Sequence, residues 1–277
     1  MMTNLPVALR SMRAADAAAL EAAVEALERT SFAQRITKIV GRRVDLAGRL
    51  LPEKFQRAGT IAAHRALHGA LRVALLSLRG KAINTRNGHK RLAMASGALG
   101  GAMGLAGLPL ELPLSTTIML RAIADIARSE GEDLSDAASA MACLEVFALG
   151  GHGEDGRVME GGYIAIRGLL AKSVSDAASY LSAGGAVVGA APALARLVSV
   201  ISSRFGVLVT QKTAAQAAPL IGAVSGALVN LAFTEHFQTL ARGHFAVRRL
   251  EREYGVHEVR AEYARIARAA GYWPPSA

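Results

Sequence analysis

The sequence predicts an all-α protein, a multi-helix bundle packed through small residues, and three observations point there. Apolar residues recur at helical spacing along most of the 277 residues, and no segment shows the sustained period-two alternation of a half-buried strand. The apolar share is 52%, yet aromatics supply only 5% of the chain, and alanines together with 28 glycines make up much of its bulk. A β-sandwich would draw more on β-branched and aromatic residues, whereas helices that approach closely use small ones. The charge is also uneven along the chain. The formal +10 conceals a basic part between Arg29 and Arg91, with about fifteen Lys and Arg against Asp45 and Glu53, and an acidic middle between Glu111 and Glu160.

Residues 6–29 read as an Ala/Glu helix with a modest apolar stripe and a mobile start, so residues 1–30 form an N-terminal helix ahead of one helical domain over 31–270. Within that domain, 31–91 is a basic amphipathic part and 92–270 a core part. Over residues 31–50, Phe32, Ile36, Ile39, Val40, Val44, Ala47 and Leu50 follow helical spacing, while Arg35, Lys38, Arg42, Arg43 and Arg49 supply the basic face. A second helix follows Pro52 to about Leu78, with Leu67, Leu71, Leu75 and Leu78 in register, and "KAINTRNGHK" then reads as a loop.

The stretch "LAMASGALGGAMGLAGLPL", residues 92–110, carries no charge, and Gly97, Gly100, Gly101 and Gly104 give it overlapping small-xxx-small spacing. Residues 177–195 and 213–234 are similar uncharged runs, the latter with a GxxxG at Gly222 and Gly226. Each has the length to enter a bilayer, but the glycines, Pro219 and Asn230 weaken it as a span. Helices are expected from about Ser135 to Leu149 and from Val158 to Leu181, with "GGHGEDG" between them as a loop. The C-terminal part is amphipathic and broken near Gly255.

Four segments together resemble the EcsC protein family: "LPLSTTIMLRAIADIARSEGEDLSD", "MACLEVFALGG", "RFGVLVTQKTAAQAAPLIGAVSGALVN" and "FTEHFQTLARGHFAVRRLEREYG". The likeness spans about residues 90–260. The family takes its name from a gene beside an ABC transporter, so the resemblance implies a role close to a membrane and a transporter, and it carries no catalytic set that transfers residue by residue.

Several residues stand out as candidates for a ligand or partner site. Glu111 in "LPLELPL" and Glu145 in "CLEVFALGG" are carboxylates inside apolar runs, and a buried carboxylate must be paired or neutralised. Arg121 is a possible partner for either. Thr117, Arg121, Asp125 and Ser129 form a polar stripe opposite Leu114, Ile118, Ala122, Ile123 and Ile126; the plain reading of that stripe is a solvated face with an i,i+4 ion pair of about 0.3–0.5 kcal/mol. Gly131 fits a helix C-cap, and Asp133 or Ser135 the next N-cap with Asp136 at its positive end. His152 lies in the glycine-rich loop beside Glu154 and Asp155, and with Glu145, Arg121 and Asp125 it would complete a hydrolase-like acid–base site.

Against catalysis, there is no G-x-S-x-G, H-E-x-x-H or Walker A pattern. His64 and His68 are spaced i,i+4 but lack a nearby third ligand, and the single Cys143 supports neither a zinc site nor an intramolecular disulfide. No metal and no cofactor is expected. Nucleic acid is not expected either, because the basic part holds only Phe32 and Phe55 for base stacking. The expected function is that of a non-enzymatic helical protein at the cytoplasmic face of the inner membrane, peripheral or partly inserted. Its partners would be an anionic membrane surface and a protein such as a transporter subunit. The alternatives are a soluble partner-binding module and the hydrolase-like enzyme.

Overall fold

In a computed structural model of the chain, the structure describes residues 12–29, 32, 61–69, 108–150, 162–183, 191–216 and 223–274, and among these every regular element is an α-helix. They are α1 (Ala14–Glu28), α2 (Leu108–Ser129), α3 (Ala137–Leu149), α4 (Gly162–Ser182), α5 (Ala191–Gln216), α6 (Ala223–Tyr254) and α7 (Val256–Ala269). Residues 61–69 are also helical and bury Ala62, Ala63, Ala66 and Leu67. The basic candidates Arg35, Lys38, Arg42, Arg43 and Arg49, the glycines Gly97, Gly100, Gly101, Gly104 and Gly222, and His152 lie outside the described residues. Gly226 sits in the first turns of α6, with its surroundings likewise outside them.

Helix α6 is the hub. It has 32 residues, about 48 Å at 1.5 Å per residue, and packs against α1, α2, α3, α5 and α7. Its middle is apolar on most sides, with Val229, Phe233, Phe237, Leu240, Ala241, Phe245 and Leu250 fully buried, the pattern of a core helix rather than a surface one. Helix α3 is similar: nearly every residue from Ala137 to Leu149 is buried, and Glu145 is its one charged side chain.

The few aromatics are concentrated where these helices meet. Five of the seven phenylalanines, Phe32, Phe147, Phe205, Phe233 and Phe237, form one cluster. Its edge-on pairs include Phe233–Phe237 at 5.1 Å and Phe147–Phe205 at 5.2 Å between ring centres, an arrangement that adds about 0.5–1.5 kcal/mol per pair beyond burial. The aromatic scarcity read from the composition therefore does not mean a core without aromatics.

The punctuation after α2 follows the sequence with one shift. Gly131 takes φ +80, and the Glu132 N–H donates to Ala127 O while the Gly131 N–H donates to Arg128 O, both at 3.0 Å, which closes α2 with a Schellman turn. The N-cap of α3 is Asp136, whose carboxylate accepts the Ser139 N–H at 3.0 Å, rather than Asp133 or Ser135. Asp133 instead accepts from the N–H and hydroxyl of Ser135 in a local Asx turn. Leu114 also departs from expectation, since it is 51% exposed. It lies two residues, about 200°, round the helix from the buried Leu112.

Two of the uncharged runs are shared between helices. Residues 177–195 contain the end of α4 at Ser182 and the start of α5 at Ala191, and residues 213–234 contain the end of α5 at Gln216 and the start of α6 at Ala223. Pro192 falls in the first turn of α5, where a helix tolerates it, and of residues 92–110 the structure describes 108–110, the start of α2. Among the described residues, the stretch long and apolar enough to cross a membrane, by length and composition alone, is Pro192–Thr213 in α5. Its mean hydropathy is 1.5, and 44% of it is buried inside the fold, because α3, α4 and α6 pack against it.

Small-residue packing is visible at Gly243, a position the sequence reading did not single out. A Cβ there would lie 2.8 Å from Leu27 Cγ and 3.2 Å from the Ala23 carbonyl oxygen, so α1 and α6 touch at this point through backbone. Gly243→Val is expected to lower stability by about 1–3 kcal/mol despite its better helix propensity, read as a lower urea midpoint with α1 the first element to lose protection in hydrogen exchange.

Candidate functional site

The two carboxylates in apolar runs are both buried, each 5% exposed, but they occupy different places and different chemistry. Glu111, in the first turn of α2, accepts a hydrogen bond from Lys212 Nζ of α5 at 2.6 Å, and the same ammonium donates to Asn230 Oδ1 of α6 at 2.8 Å. Lys212 is fully buried, and its ammonium also sits 4.9 Å from the centre of the Phe233 ring. This triad ties three helices together and leaves Glu111 Oε2 without a hydrogen bond. The partner of Glu111 is thus Lys212 and not Arg121, which is half-buried on α2. Asp125 pairs with Arg128 at 3.0 Å, one turn on along α2.

Glu145 lies about midway along α3 and opens into a cleft of about 680 Å³ between α3, α4, α6 and α7. The cleft forms because α4 turns small side chains toward it. Ala171, Ser175, Ala178, Ser179 and Ser182 line one wall, facing Asp136, Ala138 and Glu145 of the α3 side with Arg248 of α6 and Arg260 of α7. Arg167 completes the lining, and its two terminal nitrogens donate to the two oxygens of Glu251 at 2.9 and 3.0 Å. Arg248 makes the matching fork on Glu132, at 2.9 and 3.0 Å. Both guanidiniums are therefore held rigidly by carboxylates behind them.

The electrostatics of these acids diverge. Burial pushes Glu145 up to about 7; the charges of Arg167 and Arg248 oppose that shift, and Glu251 adds to it. Glu132 is also buried, yet hydrogen bonds from Arg248 and Ser139 and the charges of Arg248 and Arg252 outweigh the burial and hold it at about 2. The outcomes are opposite because Glu145 is the more deeply enclosed and only Glu132 is hydrogen-bonded in its ionised form.

Behind Glu145 the ring of His244 points Nε2 at Glu145 Oε2, 4.0 Å away, and its Nδ1 is 2.9 Å from the Tyr163 hydroxyl. Burial, reinforced by Arg167 and Arg248, lowers the histidine well below its usual range, so it is neutral at physiological pH. Burial likewise raises the phenol of Tyr163, which keeps its proton. The arrangement without repulsion has Tyr163 donating to Nδ1 and the imidazole N–H on Nε2, facing the carboxyl. Tyr163 is positioned in turn from α1: Glu28 accepts the Tyr163 N–H at 3.1 Å at the N-terminus of α4 and the Tyr263 hydroxyl of α7 at 2.8 Å. Gly162, with φ +43, lets the chain pass this carboxylate.

Of the described ligand or partner candidates, Glu145 lines this cleft while Glu111, Arg121 and Asp125 do not, and the company of Glu145 is Arg167, Arg248, Arg260, His244 and Glu251. Two signals would have found the others. Lys212 interrupts an apolar run just as Glu111 does, and Arg248 and Glu251 continue the buried register Phe237, Ala241, His244 of α6. His64 and His68 have their rings 4.5 Å apart, and among the described residues no three His, Cys, Asp or Glu side chains converge as metal ligands would. Cys143 is a buried thiol, pushed up to about 12 by burial.

An all-helical bundle around a long polar-studded core helix, with a buried Glu–Lys–Asn triad at one end and an arginine-lined cleft toward the other, is the class of protein defined here. A model of the EcsC protein family matches residues 15–250, which carries the likeness upstream into α1 and the basic part. The chain belongs to the EcsC protein family. No curated protein and no solved structure matches it.

Two outcomes test these assignments. Glu145 has a folded-state pKa above its ordinary value of 4.5, so the folded state binds the extra proton between about pH 4.5 and 7. Its stabilising contribution is present below that window and lost as pH rises through it, amounting to as much as about 3 kcal/mol. Glu145→Gln removes this slope, and its urea midpoint is expected to exceed that of the parent above pH 7. For the triad, Lys212→Met removes the cation paired with buried Glu111 and the donor to Asn230 Oδ1, and is expected to cost about 3–5 kcal/mol. The double variant Lys212→Met with Glu111→Gln recovers part of that loss in a double-mutant cycle.

Proposed function

We propose that the protein docks on an anionic membrane surface through one end of its helical bundle, as a peripheral binding protein rather than a spanning one. The observation that carries this reading is the polarity of the bundle. Lys212, Glu111 and Asn230 meet, so the start of α2, the end of α5 and the start of α6 share one end. The uncharged glycine-rich chain preceding Leu108 and the apolar chain joining Gln216 to Ala223 both attach there. Leu114 and Leu228, within a turn of that triad, are 51% and 41% exposed.

The other end is of opposite character. Asp16, Glu130 and Glu132 are bound there by Arg248, Arg249 and Arg252, with Arg249 contacting both Asp16 and Glu130 at 2.9 Å. A bundle apolar at one end and ionic at the other suits an interface between lipid and water. The basic residues Arg35, Lys38, Arg42, Arg43 and Arg49 add the electrostatic attraction, at about 1 kcal/mol each near an anionic surface. Burial of α5 among α3, α4 and α6 favours docking over spanning. A transporter subunit is the protein partner that fits this location.

The test is co-sedimentation with vesicles of phosphatidylglycerol and phosphatidylethanolamine. The protein is expected to pellet with them at low ionic strength and to be partly released by high salt. Leu114→Asp with Leu228→Asp, and separately the five basic residues changed to Gln, should each weaken the binding. A protein that stays wholly in the supernatant at low salt defeats the proposal.

A further inference from the structure

The cleft around Glu145 stands apart from the apolar end and from anything the membrane reading requires. Along α6 the distance from Asn230 to Arg248 is 18 residues, about 27 Å. The cleft volume of about 680 Å³ falls within the range of small-molecule sites. What such a site would take follows from its lining.

Three guanidiniums, Arg167, Arg248 and Arg260, face it with the hydroxyls of Ser175, Ser179 and Ser182. Each guanidinium has five N–H donors. The forks on Glu251 and Glu132 engage two donors each, and Arg260 lies 3.7 Å from Glu251 with nearly half its side chain exposed. Spare donors thus remain on rigid, pre-oriented groups, the usual design of an oxyanion site. Asp136, the second acid on the lining, already caps α3 through the Ser139 N–H. Glu145 is the remaining acid, 5% exposed, and among the described residues no Lys or Arg lies within ion-pair distance of it; its neighbour is the neutral His244 ring at 4.0 Å. A buried carboxyl at a cleft floor, without a hydrogen bond of its own, is costly unless something in the cleft provides one.

We infer that this cleft binds the phosphoryl group of a small soluble phosphate monoester, with Arg167, Arg248 and Arg260 as the anion-binding donors and Glu145 as a hydrogen-bond donor to the same group. Guanidinium and hydroxyl donors on three sides outnumber what two carboxylate oxygens accept and match three phosphoryl oxygens. The Glu145 carboxyl donates only when protonated; ionised, it repels the ligand. The charged and titratable groups facing it are Tyr163 and Arg167 of α4, His244, Arg248 and Glu251 of α6 and Arg260 of α7, with Glu132 behind Arg248 and Arg204 of α5 turned to the Ala148 carbonyl oxygen. With Glu145 near 7, its protonated fraction falls about tenfold between pH 6 and pH 8.

The experiment is calorimetric titration of the full chain with glycerol phosphate, with phosphatidate vesicles as a parallel arm. The expected result is saturable binding of glycerol phosphate that weakens about tenfold more from pH 6 to pH 8 in the parent than in Glu145→Gln, a comparison that cancels the titration of the ligand itself. Ser179→Trp, at an exposed position, fills the cleft and should abolish binding. Arg260→Gln should weaken it severalfold; both variants are checked for an unchanged urea midpoint. Absence of saturable binding to the parent overturns the inference. So does binding that both variants leave unchanged, and so does binding confined to phosphatidate vesicles. None of these outcomes bears on sedimentation with phosphatidylglycerol, so the two proposals fail separately.

Discussion

A 32-residue helix buried on most sides must find partners for most of the polar groups it carries, and that constraint on α6 organises the rest of the molecule. Asn230 is met by Lys212 of α5, His244 by Tyr163 of α4, Arg248 by Glu132 of the α2–α3 connection, and Glu251 by Arg167 of α4. Arg249 and Tyr254 are met by Asp16 of α1. Apolar packing alone would leave these neighbours free to slide by a turn, since Ala and Leu faces are alike along their length. The polar contacts fix the register, because a one-turn slip would leave several buried charges unpaired at a cost of several kcal/mol each.

The same contacts divide the molecule lengthwise. At the end holding Lys212 the charged groups are the Glu111–Lys212 pair; at the end holding Glu132 they form a connected ionic network. Between these, Glu145 is the carboxyl that receives no hydrogen bond, and its proton affinity rises in consequence. Glu132 and Glu145 lie on or next to the same helix and both feel the charge of Arg248, yet one is held near 2 and the other near 7. The difference lies in contact: Arg248 reaches Glu132 with two N–H groups and acts on Glu145 only through space.

Much of the architecture was legible in the sequence. Helical spacing, the absence of strand alternation, Gly131 as a helix stop and the break at Gly255 all reappear in the structure, as does the membership of the EcsC family. The burial of Glu111 and Glu145 was legible too, from their placement within apolar runs. Their partners were not, because Lys212 lies 101 residues from Glu111, and no periodicity reports which of several helices will lie alongside. Arg121 was the nearest cation in the chain and proved the wrong one in space. The uncharged runs misled in a related way: composition averaged over residues 177–195 and 213–234 runs across the end of one helix and the start of the next.

The sequence by itself determined the all-helical class, the helix stops at Gly131 and Gly255 and which carboxylates would be buried, since each of these is set within a turn or two of chain. Only the tertiary structure decided which charges meet, where a cleft opens and which carboxyl keeps its proton. These depend on desolvation and on distances between side chains far apart in the chain, and the balance of burial against hydrogen bonds made decides whether an acid is held below or above its ordinary range.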